Sequence, residues 1–254
     1  MRTRKTVLIA DASETFSMYL SVLLNRMGFN VIPALNGVEA IKLVRVLLPD
    51  IALLSLSLPL MEGAIVLRHM KSGDQTSKIQ VIMVSADHDE KSVEECTRLG
   101  CSGFLKKPVQ VSKLNELLQK CVTYEGGKQR KCLRTCFEKK VMVTHSGVSQ
   151  GLIAVSLSEG GMFIRKMEPF PVGSEVVITM GVREGKVLNL KGSVIYHKGV
   201  YGDMLKIGTG IGIAFHDVSP DDMRLLRKYI TEILIGDLVQ DEDEAAIVQE
   251  ADAL

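Results

Sequence analysis

Two periods alternate along the first 121 residues. Short runs of β-branched and aliphatic residues (TVLIAD, NVIPA, IALLS, IQVIMVSA, SGFLK) each give way to a stretch whose apolar positions recur three and four residues apart (SETFSMYLSVLLNRMGF, GVEAIKLVRVL, EGAIVLRHMK, EKSVEECTRLG, VSKLNELLQKC). The first kind suits buried strands and the second amphipathic helices. Five such units in succession predict an α/β doubly wound, five-stranded parallel sheet with helices on both faces, because parallel neighbours need crossover connections. In such a sheet chemistry collects at the carboxyl ends of the strands. Those ends carry Asp11, Ser55, Ser85 and Lys107.

Beyond Cys121 the helical period fades. The stretch VTYEGGKQRKCLRT is rich in glycine and basic residues, and after it come the β-rich runs KKVMVTH, GLIAVSL, GMFIR, EVVITMGV, NLKGSVIYHKG and GTGIGIAFHD. Turn-prone SG, EGG, FPVGS and REGK separate them. Such runs predict a six-stranded antiparallel β-barrel. The following SPDDMRLLRKYITEIL has a serine cap, a proline at the first helical position and early acids, so a C-terminal helix closes the series. The organisation expected is a first domain over 1–121, a linker over 122–129, a second domain over 130–235 and a tail over 236–254.

Composition adds three constraints. With 254 residues, 46% of them hydrophobic, the chain can bury a core in each of two domains. The net charge of +1 conceals an acidic tail: Asp237, Asp241, Glu242, Asp243, Glu244, Glu250 and Asp252 have no Lys or Arg among them, so the rest of the chain carries +8. A tail of that kind is expected to stay solvated, frayed or disordered. The odd number of cysteines, five, lacks zinc-site or secreted-framework spacing and suits reduced thiols in a cytoplasmic protein. No run reads as a signal peptide or a membrane span, and with aromatics at 5% and no Trp the basic residues lack the stacking platform of a nucleic-acid binder.

VLIADAS, PDIALLSLSLPLMEG, VIMVSAD and GFLKKP together resemble a bacterial response-regulator receiver domain over the whole first half. The resemblance implies an acidic pair after the first strand for Mg²⁺, a phosphate-accepting Asp after the third, a hydroxyl after the fourth and a Lys-Pro after the fifth. The matching positions are Asp11 with Ala12, Ser55, Ser85, and Lys107 with Pro108; Phe104 occupies the family's aromatic switch position. Two carboxylates are therefore missing. A carboxylate is a ready nucleophile at neutral pH, whereas a serine needs an adjacent base, and no histidine falls in these motifs. Mg²⁺ also wants carboxylate oxygens. The expectation is a degenerate, non-phosphorylatable receiver that binds no metal and serves as a protein-interaction module, with Lys107 and Ser85 keeping the old geometry without chemistry. Asp50 precedes the third strand, at the wrong edge to replace the missing acceptor.

The order RKCLR, then SLSEGGMFI, then FPVGSEV, GSVIY, GIGIAF and SPDDMRLLRKYI resembles a PilZ domain from about Lys128 to Leu234. That family's signatures are R-x-x-x-R and D/N-x-S-x-x-G, and the resemblance implies cyclic di-GMP as ligand. Arg130, Arg134, Ser156, Ser158 and Gly161 are the candidate binding residues. Guanidinium groups make bidentate contacts with phosphate and with guanine O6 and N7, and stack on bases. Ser158 offers a hydroxyl, and Gly160 and Gly161 let backbone come close. Ser156 departs from the family's Asp or Asn, and its hydroxyl presents a weaker acceptor to guanine. RKCLR read alone is equally a solvated basic linker. Cys132 and Cys136 have only His145 as a further candidate ligand, too few for a metal.

Two readings follow. One is a bacterial signalling adaptor, not an enzyme, that senses cyclic di-GMP and contacts other signalling proteins, with a homodimer left open. The other is a scaffold whose two halves bind only proteins. Arg130, Arg134 and Ser158 favour the first; Ser156 favours the second.

Overall fold

The computed structural model describes residues 4–86, 90–122, 132–198, 209–236 and 248–249. The linker predicted over 122–129 lies almost wholly outside them, as does Arg130. The chain divides into two compact units.

In the first unit β1 (Thr6–Ala10), β2 (Asn30–Ala34), β3 (Ile51–Ser55), β4 (Gln80–Ser85) and β5 (Gly103–Lys106) pair in parallel in the order β2-β1-β3-β4-β5. The crossovers are α1 (Glu14–Arg26), α2 (Gly37–Leu47), α3 (Gly63–Ser72) and α4 (Glu90–Arg98), and α5 (Val111–Cys121) follows the two-residue strand β6 (Val109–Gln110). This is the doubly wound sheet the sequence predicts. Every residue of β3 is buried, as a central strand covered on both faces must be.

Local signals set the helix starts. Ser13 Oγ accepts the Phe16 N–H at 3.1 Å and Asn36 Oδ1 accepts that of Glu39 at 2.8 Å, while Glu39 Oε2 reaches back to the Leu35 N–H at 2.9 Å. Ser13 and Asn36 satisfy donors that the helices themselves leave open, and Glu39 ties down the residue before the cap.

In the second unit β7 (Arg134–His145), β8 (Val148–Ser158), β9 (Gly161–Arg165), β10 (Glu175–Gly181), β11 (Val187–Lys198) and β12 (Gly210–Phe215) close into an antiparallel barrel in the order β10-β11-β12-β9-β8-β7. Phe137, Val143, Leu157, Ile164, Ile178, Leu190 and Ile213 fill it. Helix α6 (Pro220–Ile235) starts where Ser219 Oγ accepts the Asp222 N–H at 3.1 Å. Its Tyr229 meets Phe137 edge-on, with ring centroids 6.1 Å apart, and takes a hydrogen bond from Lys139 Nζ at 3.0 Å.

Two expectations need correction. The first barrel strand starts at Arg134, five residues earlier than the apolar run KKVMVTH suggests. Thr135 and Phe137 point inward, but a bulge between Cys136 and Lys139 breaks the alternation that would have revealed the strand. The tail, expected to be solvated throughout, contributes β13 (Val248–Gln249), which pairs in parallel with β6. A β-prone IVQ sequence within the tail and an open strand edge suffice for that pairing.

Candidate functional site

At the carboxyl edge of the parallel sheet, strand geometry gathers Asp11, Ser55, Ser85 and Lys107, as the sequence predicts. Asp11 is 3% exposed and its two oxygens are both engaged: Oδ1 accepts the Ser13 N–H at 3.0 Å and Oδ2 accepts Lys107 Nζ at 2.5 Å. The same ammonium lies 3.9 Å from the centroid of the Phe16 ring. Lys107 is fixed from its backbone too, its N–H donating to the Ser85 carbonyl at 2.9 Å. Ser55 is buried at the end of β3.

This arrangement does not suit the metal that a receiver centre implies. Of the four gathered side chains Asp11 alone is a carboxylate, Lys107 already neutralises it, and Ala12 offers no side-chain oxygen. Among the described residues no three His, Cys, Asp or Glu side chains gather into a metal-sized group. Asp50 sits at the opposite edge, held by Lys5 Nζ at 2.6 Å and the Thr6 N–H at 2.8 Å, so its carboxylate ties down the start of β1. Burial pushes the Cys96 thiol up to about 11, and partial burial raises Cys101 and Cys121, which makes all three poor nucleophiles.

On the barrel, register places the second set of candidates. Arg134 opposes Ser158, Ser158 opposes Gly161, Cys136 opposes Ser156, and Ser156 opposes Phe163. Cross-strand partners share a face. Thr135, Phe137, Leu157, Met162 and Ile164 occupy the interior, so Arg134, Ser156 and Ser158 project from the outer wall. Arg134 therefore belongs to a strand rather than to a flexible linker. Ser158 is buried and donates to the Gly161 carbonyl at 3.0 Å, closing the β8–β9 turn, while Glu159 in that turn is held by Arg227 of α6 at 2.9 Å. A methyl group on Gly161 would collide with the Ile213 carbonyl of β12, so glycine is required there by strand approach irrespective of any ligand.

The structure adds residues that motif reading missed. Gly212 lies between Phe163 and Tyr196 in register, and the two rings stack across it at 6.2 Å and 17°. A side chain on Gly212 would occupy the space of the tyrosine ring. Tyr196 remains 41% exposed, an aromatic face one strand beyond the Ser156–Phe163–Gly212 row. Arg165, two residues along β9 from Phe163, shares this face and pairs with Glu138 at 2.9 Å. The sequence signal was present: GIGIAF places glycines on alternate positions, and outward glycines in strands are commonly covered by a cross-strand aromatic.

Comparison with known proteins follows the same division. The response regulator receiver domain family matches residues 7–119 and the PilZ domain family residues 128–232. The chain is 30% identical to the polar-differentiation response regulator DivK of Brucella anthropi over 115 residues, 45% of this chain and 94% of that protein. It is 32% identical to the chemotaxis protein CheY of Thermotoga maritima over 117 residues, 46% and 96% of the two chains. The Regulator of RpoS from Escherichia coli K12 is 29% identical over 120 residues, and the chain spans 35% of that relative's length and 46% of its own. Among solved structures, Vibrio cholerae chemotaxis protein CheY4 superposes with a TM-score of 0.45 at 22% identity, covering 47% of this chain and all of that one (100%).

Proposed function

The chain belongs to the response regulator receiver family and carries a PilZ domain in its second half, and on that premise we propose a cytoplasmic signalling adaptor. Its barrel, residues 130–235, binds cyclic di-GMP, and its parallel-sheet half, residues 1–121, is a docking module that does not take up phosphate. Receiver and PilZ domains are non-catalytic signalling modules. Among the described residues no helix is long and apolar enough to cross a membrane.

The observation that carries the ligand reading is the placement of Arg134. It projects from a hydrogen-bonded strand on the outer wall, opposite Ser158 and one row from Ser156 and the aromatic stack. A guanidinium fixed at its backbone loses less freedom on binding than one on a free linker. Arg134 and Arg130 supply charge-assisted donors to the two phosphates and to guanine O6 and N7. Ser156 accepts from the guanine edge directly or through a water. The open face of Tyr196 supplies a surface on which a purine stacks. Ser158 and Gly161 act by fixing the β8–β9 turn that presents these groups.

The docking reading of the receiver half rests on the Asp11–Lys107 pair and on Ser55 in the acceptor position. In that half Lys107 already neutralises the buried carboxylate at which a metal would bind.

Calorimetric titration of the purified chain with cyclic di-GMP tests the proposal. Saturable binding at micromolar concentrations supports it. No heat at sub-millimolar ligand, for the wild type and for Ser156→Asn alike, leaves the scaffold reading favoured by Ser156.

A further inference from the structure

The edge strand β5 ends at Lys106, and after Lys107 and Pro108 the chain forms β6. Among the described residues the strand that pairs with β6 is β13. The pairing is parallel and matches like with like, Val248 opposite Val109 and Gln249 opposite Gln110. Val109 is fully buried and Gln110 is exposed, so one face of β6 lies in the core and the other faces out. Val248 and Gln249 group with the parallel-sheet unit.

A strand edge without a partner presents unpaired N–H and C=O groups and takes up extended segments. The flanking sequences are complementary in charge. KKPVQVSK places Lys106 and Lys113 on either side of β6, Lys107 between them being turned inward onto Asp11 and Lys113 also meeting Glu116, whereas the sequence EDEAAIVQEAD around Val248–Gln249 carries Glu242, Asp243, Glu244, Glu250 and Asp252. Opposite charges on either side of a short pairing fix which segment docks and in what register, more than they add to its strength.

We infer that the Val109–Gln110 edge is a strand-addition site whose resident occupant is the chain's own acidic C-terminal segment, bound in cis. The site recognises a short apolar, β-prone segment flanked by carboxylates and running parallel to β6. It begins two residues beyond Lys107, so it adjoins the centre at which an ordinary receiver would signal its state. A partner that docks by adding a strand here must first displace the tail, and the tail thereby sets the threshold for docking without phosphorylation. This inference is independent of the barrel's ligand.

Amide hydrogen exchange on the full chain tests it. Successive N–H groups of a strand point in alternate directions, so the double substitution Val248→Pro/Gln249→Pro removes whichever donor faces β6. Exchange at residues 109–111 is expected to accelerate by about tenfold or more in that variant, without change in β1 or β3. A synthetic peptide of residues 242–254 added in excess is expected to restore the protection. Unchanged exchange in the double variant overturns the inference, and so does failure of the peptide to protect. Protection in the wild type that rises with protein concentration assigns the strand to a second copy and overturns binding in cis.

Discussion

Lys107 Nζ lies 2.5 Å from Oδ2 of Asp11, a carboxylate almost completely removed from water. The pair gives the parallel-sheet half its own counter-ion. Burying a lone carboxylate costs several kcal/mol, and an ammonium in contact, itself resting on the Phe16 ring, offsets that cost without a metal.

Phosphorylation is therefore expected to fail. Acetyl phosphate with Mg²⁺ should leave the intact mass unchanged, and acid-labile phosphate at stoichiometric yield would contradict the reading. Ser55→Asp restores a nucleophile but sets a second carboxylate at the same edge with Ala12 still in place, so a metal site remains short of ligands. That variant should also stay unmodified.

Breaking the pair from the lysine side should cost stability rather than change an activity. Lys107→Met removes the ammonium from Asp11 and leaves the Ser13 N–H donating to its other oxygen. Because Lys107 is partly open to solvent, the loss is expected at about 2 kcal/mol, below the range for fully buried pairs. Urea unfolding of both proteins measures it, and equal midpoints would show that the pair has no net energetic consequence.

The fold was legible in the sequence wherever burial is two-sided or strictly periodic. The IALLS strand and the α6 pattern with its Ser219-Pro220 start are examples. Legibility failed where a local irregularity breaks the period: the bulge at Cys136–Lys139 hid five residues of β7 and made Arg134 look like part of a linker. The strand-end residues Asp11, Ser55, Ser85 and Lys107 followed from topology alone, since parallel strands bring their carboxyl ends together whatever lies between them. Phe163 and Tyr196 were not legible as a pair. The alternate glycines of GIGIAF signal that an aromatic covers them, but which two rings meet depends on barrel register across Gly212.

Gly161 separates structural from ligand roles. Its α-hydrogens face the Ile213 carbonyl across β9 and β12, where a methyl group has no room. Gly161→Ala should lose about 1 to 3 kcal/mol of stability with no ligand present. Equal thermal midpoints for wild type and variant in the apo state would refute this account.

His216 confers a pH dependence on the barrel unit. Its Nε2 contacts Glu175 Oε2 at 2.7 Å and its Nδ1 contacts Asp217 Oδ2 at 3.2 Å. The hydrogen bond to Glu175, followed by that to Asp217, raises its pKa above the ordinary imidazole value of 6.5. A folded-state pKa above the unfolded one means that the folded chain holds the proton more tightly. The resulting stabilisation is complete below the ordinary value and is lost as pH rises through the raised value. Thermal midpoints recorded across that window should fall more steeply with rising pH for the wild type than for Glu175→Gln. Parallel curves would show that the contact has no energetic consequence.

The barrel's outer wall provides the most discriminating set of substitutions. Arg134→Ala removes charge-assisted hydrogen bonds worth roughly 1.5 to 3 kcal/mol, so affinity for cyclic di-GMP should fall about ten- to a hundred-fold. Arg134→Lys should recover only part of that, because an ammonium keeps the charge and loses the planar fork. Tyr196→Ala removes a stacking face worth roughly 1 to 3 kcal/mol per base. Ser156→Asn runs in the opposite direction: a longer side chain carrying a carbonyl acceptor should tighten binding by about 1 kcal/mol, the net contribution of one hydrogen bond. Because Ser156 and Tyr196 lie in one register row on either side of Phe163 and Gly212, their effects need not add, and the double variant measures the coupling. Calorimetry on the wild type and these five variants decides the matter: losses at Arg134 and Tyr196 together with a gain at Ser156 place the ligand on this face, whereas wild-type affinity in Arg134→Ala and Tyr196→Ala would move it elsewhere.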